Sequence, residues 1–285
     1  MTGRVKDTYF FVNGRVFIDI AYGCGNGCSY CYSQHANEFQ VAYRTNTLNK
    51  IITAIINDKR FVKGKAGTLI SLCPNTEPLK TREAAIALLF VIEKLSPIGN
   101  RIQISTKSII SDFFINEINK LNIPVGQITM FISISSLSNY DKYEPNTPNI
   151  YQRIGNIIKL KNTNIKTCLY IKPFLLLEND IKYIIDTVNK TTPDAVCIGM
   201  QYFQGGSGNY RHPVNISSFS EGISSAMKIF KEKYDSNKPL FLTSSCVVSY
   251  INRCALENIS IPQQFCLGCK CSCKKCEKWL SQSPY

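Results

Sequence analysis

Three cysteines lie close together near the amino end, in the segment Cys24-Gly25-Asn26-Gly27-Cys28-Ser29-Tyr30-Cys31. Their C-x3-C-x2-C spacing puts three thiolates on one tight loop, where they can ligate three irons of a cubane iron–sulfur cluster. The fourth iron would have no protein ligand and would be open to a substrate or cofactor. The glycines let the backbone fold around such a cluster, and Tyr30 can cover it from solvent. A structural zinc site with His35 as the fourth ligand is the alternative.

A second group of cysteines lies near the carboxyl end, at Cys254, Cys266, Cys269, Cys271, Cys273 and Cys276. Five of these thiols fall within eleven residues, which favours a compact auxiliary [4Fe–4S] cluster with Cys254 as a candidate distal ligand. The two C-x2-C pairs are too close together for the usual zinc ribbon. A four-cysteine zinc site and redox-active thiols are the alternatives.

The chain has 285 residues and 13 cysteines, an odd number that cannot pair off completely. Its first residues lack the basic-then-apolar order of a signal peptide, so a disulfide framework is disfavoured and metal ligation is favoured. No apolar run reaches the roughly 18 residues that a membrane-spanning helix needs. We therefore expect a cytoplasmic protein that has no membrane partner.

The 33 Lys and Arg residues outnumber the 20 Asp and Glu residues and give a formal net charge of +13. Such an excess suits a polyanionic partner such as nucleic acid. Metal-bound thiolates would reduce the charge, and the lysines are scattered rather than clustered in one block. The composition thus leaves open a non-catalytic basic module whose cysteines hold zinc and whose lysines bind nucleic acid.

Short runs rich in Val, Ile and Phe alternate with segments of helical period, a pattern typical of β-α units around a parallel sheet. A hairpin is predicted over residues 9–18 around Asn13-Gly14, with its second arm continuing to Tyr22 as the first barrel strand. Further strands are predicted at 68–73, 101–106, 127–135, 166–172, 195–200 and 239–243. Helices are predicted near 48–58, 82–95, 112–121, 151–161, 180–190 and 218–234, with Thr81 as the N-cap of the second.

These units predict an α/β fold, a partial (β/α)6 TIM-type barrel over residues 1–243. From Ser244 onward strand and helix periodicity fade, so residues 244–285 are predicted to form a small Cys-rich extension that a metal centre holds together. In such barrels the chemistry lies where strands end and loops begin. The residues directly after each strand are therefore the ones most relevant to function.

The cysteine loop resembles that of the radical S-adenosylmethionine (radical SAM) enzymes in its spacing, in the aromatic residue before Cys31 and in its place after the first strand. The resemblance implies a [4Fe–4S] cluster on Cys24, Cys28 and Cys31 whose unique iron is chelated by SAM. One-electron reduction, by a donor such as flavodoxin or ferredoxin, would cleave SAM to methionine and a 5′-deoxyadenosyl radical. That radical would abstract a hydrogen atom from the substrate.

Within this superfamily the chain is most similar to the spore photoproduct lyase-like group, on four matches at strand ends or beside the cluster loop. The segment 73–78 is similar to the group's C-x-S-D-P segment, and the segment 105–108 is similar to its T-K-S segment. Ser133 and Ser135, followed by Glu144-Pro145 and Arg153, are similar to its fourth-strand and E-P…R pattern. Tyr30 and Tyr32 resemble a tyrosine pair beside the cluster. The resemblance implies that Cys73 returns a hydrogen atom to a substrate radical. The alternative for Cys73 is a small buried hydrophobe.

The resemblance also predicts a set of SAM-binding residues: Asn75, Thr76, Glu77, Ser105, Lys107, Ser133, Ser135, Arg153, Lys172 and Gly199. Glu77 or the carbonyls beside it could accept hydrogen bonds from the SAM ammonium group, and Lys107, Lys172 or Arg153 could pair with its carboxylate. Gly199 would let the sixth strand approach adenine. The strand-end hydroxyls could equally cap helices, and Glu144 with Arg153 could equally be a structural ion pair.

The cysteine tail departs from the lyase-like group, which ends in a DNA-engaging hairpin. Auxiliary clusters occur in radical SAM enzymes that modify peptides and in those that insert sulfur. We therefore expect a peptide or protein substrate, with a nucleic acid (tRNA or DNA) or a small metabolite as the alternatives.

Overall fold

A computed structural model of the chain describes residues 9–12, 14–31, 42–43, 45–199 and 220–253. The strands are β1 (Tyr9–Val12), β2 (Arg15–Ile18), β3 (Ala21–Tyr22), β4 (Ala42–Tyr43), β5 (Leu69–Leu72), β6 (Ile102–Thr106), β7 (Ile128–Ile134), β8 (Lys166–Ile171), β9 (Ala195–Ile198) and β10 (Leu240–Phe241). The helices are α1 (Thr45–Ile56), α2 (Arg82–Leu95), α3 (Asp112–Lys120), α4 (Tyr140–Tyr143), α5 (Ile150–Lys159), α6 (Glu178–Thr191), α7 (Ser220–Lys233) and α8 (Ser244–Ile251).

Eight of these strands form one sheet in the order β1-β2-β5-β6-β7-β8-β9-β10. Within this sheet β2 and the six strands after it in this order pair in parallel, and β1 joins the edge as the antiparallel arm of the opening hairpin. The sheet curls without closing. The predicted α/β fold, a partial TIM-type barrel, is therefore confirmed.

Side chains alternate between the two faces of this sheet, as they must in extended strands. Alternate strand residues such as Ile70, Ile102 and Met130 belong to the large apolar core that the helices share. The residues between them, including Phe131 and Cys168, form a smaller apolar cluster with α8. The barrel therefore has an outer, helix-covered face and an inner face that α8 partly covers.

Two local predictions are confirmed. The hairpin turn has Gly14 at φ 73°, a left-handed conformation that glycine adopts without strain. The hydroxyl of Thr81 accepts a hydrogen bond from the backbone N–H of Ala84 at 3.2 Å and so caps α2.

The prediction that the first barrel strand continues to Tyr22 is wrong. β2 ends at Ile18, and Ala21–Tyr22 pairs with Ala42–Tyr43 in a separate two-stranded sheet. The carboxylate of Asp19 accepts hydrogen bonds from the backbone N–H and the side-chain amide of Asn75, at 3.0 and 2.8 Å. We attribute the break to these bonds, which hold Asp19 against the segment after β5.

The fading of strand and helix periodicity from Ser244 does not mean that helical structure ends there, because Ser244–Ile251 forms α8. Its buried side chains run consecutively from Ser244 to Ser249, so the helix lacks the one-sided apolar stripe that sequence analysis relies on. Residues 254–285 lie outside the described residues. None of the helices in the described ranges is long and apolar enough to cross a membrane.

Candidate active site at the strand ends

The three amino-terminal cysteines lie on the loop that follows β3. Gly25 and Gly27 have φ of 69° and 63°, a left-handed conformation that lets this loop turn tightly. The backbone N–H of Cys31 donates to the carbonyl of Cys28 at 3.0 Å and closes the last turn. None of the three forms a disulfide with another described residue, and all three are half-buried.

Asn26, between the first two cysteines, connects the loop to its surroundings and is itself buried. Its backbone N–H donates to the Cys24 thiol. Its side-chain amide lies 3.4 Å from Glu77 Oε2, and its carbonyl accepts from the N–H of Asn146 at 3.3 Å. Lys80 Nζ donates to Asn26 Oδ1 at 3.0 Å and to the carbonyl of Gly25 at 2.7 Å.

The thiols have the donor chemistry of an iron–sulfur ligand set. Burial, with Glu77 nearby, raises the pKa of Cys24 to about 12, and burial raises the pKa of Cys28 to about 11. Without metal these thiols stay protonated at neutral pH, so metal binding must displace protons. The positive charge of Lys107 lowers the pKa of both thiols, and it would offset the negative charge of metal-bound thiolates.

In the described part of the chain, no three His, Cys, Asp or Glu side chains converge on a point where one metal ion would bind. A cubane cluster does not require such convergence, because each thiolate ligates a different iron. Three thiols on one tight loop are the donor set that such a cluster uses, so the residues present fit it.

Glu77 lies in the segment after β5 and binds the end of β6. Its carboxylate accepts hydrogen bonds from the hydroxyl of Thr106 and from the backbone N–H of Lys107, the latter at 2.8 Å. The neighbouring Thr76 donates its hydroxyl to the carbonyl of Gly23 at 2.6 Å. The segment after β5 thus contacts both the cysteine loop and the next strand end.

Glu144 is the centre of a buried charged network that follows β7. One carboxylate oxygen accepts from the phenol of Tyr30 and lies 4.0 Å from Lys107 Nζ, and the other lies 2.6 Å from Nη1 of Arg153. Lys107 Nζ also lies 5.8 Å from the centre of the Tyr30 ring, within cation–π range.

The surroundings of Lys107 and Tyr30 raise the pKa of each side chain. Burial works against the charge on Lys107, but Cys28, Glu144 and Glu77 together raise its pKa above the usual value. Burial and Glu144 raise the pKa of Tyr30. Lys107 therefore stays protonated and Tyr30 stays a neutral hydrogen-bond donor beside the cysteine loop.

Arg153 uses its donors on the surrounding protein. Besides Glu144, its guanidinium donates to the carbonyls of Ser133 and Pro148, at 3.1 and 2.8 Å, and to the hydroxyl of Thr147 at 2.9 Å. Its side chain is fully buried. This geometry favours the structural interpretation of the Glu144–Arg153 pair over direct binding of a SAM carboxylate.

Cys73 lies directly after β5 and is 4% exposed. Its φ of 60° is unusual for a residue other than glycine, and its N–H donates to the carbonyl of Ile18 at 2.7 Å. Burial and the charge of Asp19 raise its pKa, and Cys24 is close enough to contribute. The thiol is therefore protonated and lies near the cysteine loop.

Lys172 and Gly199 form a pair apart from the charged network. A Cβ at Gly199 would lie 3.3 Å from Cδ of Lys172, so the lysine stem packs against the glycine. Burial lowers the pKa of Lys172 to about 8. The nearby Cys197 raises this pKa, and the positive charge of Arg15 lowers it further. Of the three cations predicted for the SAM carboxylate, Lys107 and Arg153 belong to the network and Lys172 lies elsewhere.

Two predicted serines face the barrel from neighbouring strand ends. Ser135 is fully buried, and its hydroxyl lies close to the phenol of Tyr30. Ser105 pairs with Phe131 in the parallel register of β6 and β7 and is half-buried. Tyr32 and the tail cysteines at 254, 266, 269, 271, 273 and 276 lie outside the described residues.

Sequence analysis did not single out Asp19, Asn26 or Lys80 as site residues, and it named Thr106 only within the segment 105–108. Asp19 and Thr106 are polar residues at strand ends, a signal that was available in the sequence. Asn26 lies between two candidate ligands and was treated only as loop sequence. Nothing local distinguishes Lys80 from the other lysines.

No protein-family model and no curated protein sequence matches the chain. Solved structures share its fold. Spore photoproduct lyase complexed with dinucleoside spore photoproduct superposes with a TM-score of 0.58 at 13% identity, covering 79% of this chain and 75% of that one. Streptococcus suis SuiB bound to precursor peptide SuiA gives 0.55 at 13% identity, covering 83% of this chain and 50% of SuiB. SuiB bound to S-adenosylmethionine gives 0.52, also at 13% identity, with coverages of 81% and 52%. The chain therefore shares the fold of these structures, and it spans about half the length of SuiB.

Proposed function

We propose that the chain is a radical SAM enzyme that binds a [4Fe–4S] cluster on Cys24, Cys28 and Cys31. The observation that carries this proposal is the position of the cysteine loop at the strand ends, beside Lys107 and the buried network of Glu144. When bound, the cluster would supply the electron that cleaves SAM to methionine and a 5′-deoxyadenosyl radical. The shared fold with spore photoproduct lyase and SuiB supports the same class.

The chain's own residues would orient SAM. Lys107 pairs with the SAM carboxylate, because it is a protonated lysine beside the cysteine loop whose side chain is 19% exposed. Glu144 and Tyr30 position Lys107. The ammonium group of SAM binds at Glu77 or at the backbone carbonyls beside it, with Asn75 and Thr76 fixing that segment through Asp19 and Gly23.

Cys73 is proposed as a hydrogen-atom donor that returns a hydrogen atom to the substrate radical. A protonated thiol is the form that this role needs, and burial keeps Cys73 protonated. Its position next to the cysteine loop would bring it close to a substrate held at the mouth of the barrel. Tyr30 and Tyr32 are proposed to lie beside the cluster.

The proposed substrate is a peptide or protein. Two observations support it: the cysteine-rich tail, for which we propose an auxiliary [4Fe–4S] cluster, and the likeness to SuiB, whose structure was solved with a precursor peptide. The alternative substrate is nucleic acid, which the net charge of +13 and the likeness to spore photoproduct lyase favour. A zinc site is the alternative for the tail, and a flavodoxin or ferredoxin is the proposed electron donor.

The proposal is tested by anaerobic reconstitution of the full chain with iron and sulfide. We expect a brown protein with about eight irons if both clusters form. Adding SAM should change the electron paramagnetic resonance spectrum of the reduced protein, and dithionite should then yield 5′-deoxyadenosine. Replacing Cys24, Cys28 and Cys31 by alanine should remove about four irons and abolish this product. A protein that binds only zinc and leaves SAM intact would favour the non-catalytic basic module instead.

A further inference from the structure

Lys80 lies in the segment between β5 and α2 and reaches into the cysteine loop. Its ammonium group donates to the carbonyl of Gly25 at 2.7 Å and to the side-chain oxygen of Asn26 at 3.0 Å. It also lies 3.5 Å from the carbonyl of Asn146, which follows α4. One lysine thus joins three segments that are far apart in the sequence.

Asn26 is the other half of this contact, and it uses several polar groups at once. Its side-chain oxygen accepts from Lys80, its side-chain amide faces Glu77 Oε2 at 3.4 Å, and its carbonyl accepts from Asn146 at 3.3 Å. Its backbone N–H donates to the Cys24 thiol. Asn26 therefore links Lys80 to Cys24 and to Glu77, whose carboxylate accepts hydrogen bonds from the end of β6.

We propose that Lys80 and Asn26 form a latch that fixes the cysteine loop in its metal-binding conformation, and that Lys80 is a positioning residue for the SAM reaction. The inference rests on the proposed function. The loop contains Gly23, Gly25 and Gly27, all at positive φ, and glycine loses more conformational freedom on ordering than any other residue. Such a loop needs external contacts to be ordered before it binds metal, and the latch adds two hydrogen bonds to those that Thr76 and the segment around Tyr143 make.

The charge of Lys80 has a second consequence. A cation that hydrogen-bonds the loop between Cys24 and Cys28 attracts the negative charge of a bound cluster, and the attraction is stronger when the cluster is reduced. Removing the cation should therefore make the reduction potential more negative. Two substitutions separate the effect of the charge from a loss of packing. Lys80→Arg preserves the positive charge, whereas Lys80→Met removes the charge and preserves most of the side-chain length.

The first arm of the test uses the full-length chain without metal. Hydrogen–deuterium exchange over residues 23–31 is compared for wild type, Lys80→Met, Lys80→Arg and Lys182→Met, the last an exposed lysine of α6. We expect exchange about tenfold faster or more in Lys80→Met, close to wild type in Lys80→Arg, and unchanged in Lys182→Met. Equal exchange in wild type and Lys80→Met would overturn the latch.

The second arm uses the reconstituted proteins and a potential titration followed by electron paramagnetic resonance. Lys80→Met should have a more negative potential than wild type, and Lys80→Arg should restore it. A wild-type potential in Lys80→Met would overturn the role of the charge. If the wild-type loop binds no cluster at all, the proposed function fails, and the exchange experiment still decides the latch by itself.

Discussion

Glu144 and Arg153 form an ion pair in which Oε2 and Nη1 lie 2.6 Å apart and neither side chain is exposed to solvent. Glu144 comes from the loop after α4 and Arg153 from α5, so the pair fixes the loop that also contacts the cysteine segment. The backbone carbonyl of Tyr143 accepts from the N–H of Ser29 at 2.9 Å. The ion pair therefore holds in place the loop that contacts the cysteine segment of the candidate site.

Replacing Glu144 with glutamine should destabilise the protein strongly, because it leaves the buried Arg153 guanidinium without its counter-charge. We expect a loss of about 3–5 kcal/mol in the free energy of unfolding, measured by urea denaturation. The matched control is Glu117→Gln, which breaks the exposed pair of Glu117 with Lys120 and should cost about 0–1 kcal/mol. Equal costs for the two variants would contradict the structural role of the Glu144–Arg153 pair.

Replacing Lys107 with methionine should weaken SAM binding, because it removes the charge that we assign to the SAM carboxylate. A charge-assisted hydrogen bond is worth about 1.5–3 kcal/mol, so Kd should rise by about 10- to 150-fold. Calorimetric titration of the reconstituted protein with SAM measures this change. Lys172→Met is the comparison, since Lys172 lies outside the charged network; if it has the larger effect, Lys172 and not Lys107 pairs with the carboxylate.

Replacing Cys73 with alanine tests its role as hydrogen-atom donor. The variant should still form 5′-deoxyadenosine from SAM, because Cys73 is not one of the three proposed cluster ligands. Product analysis by mass spectrometry, with the substrate once identified, should show less of the normal product or a different one. The donor role is ruled out if both the yield and the identity of the product match wild type.

The buried amine of Lys172 should make stability depend on pH. Burial lowers its pKa to about 8 in the folded protein, compared with about 10.4 in an unfolded chain. Between these values the unfolded chain binds a proton that the folded protein does not, so stability should rise with pH from about 8 to about 10.4.

The measurement for Lys172 is urea denaturation of wild type and Lys172→Met at several pH values from 7 to 10. Wild type should gain stability relative to the variant as pH increases, because the variant has no amine to deprotonate. The exposed Lys182→Met serves as the control and should track wild type throughout. A constant difference between wild type and Lys172→Met would show that Lys172 keeps its ordinary pKa.

The sequence by itself determined the elements and the cysteine loop. Short runs rich in Val, Ile and Phe, such as the one that forms β7, specify strands, and Asn13-Gly14 specifies the hairpin turn, because these signals act over a few neighbouring residues. The alternation of strand and helix segments is equally local, and it was enough to predict a partial TIM-type barrel. The sequence did not reveal α8, since a helix with consecutive buried residues has no one-sided apolar stripe.

Only the tertiary structure decided which polar residues meet. Tyr30 and Glu144 are 114 positions apart, and Lys80 and Asn26 are 54 apart, so no periodic pattern connects them. They come together because parallel pairing brings the ends of successive strands to one edge of the sheet. The same pairing separates Lys172 from Lys107, although sequence analysis treated them as equivalent. Contacts of this kind depend on strand order and register, which are set by the packing of the whole chain.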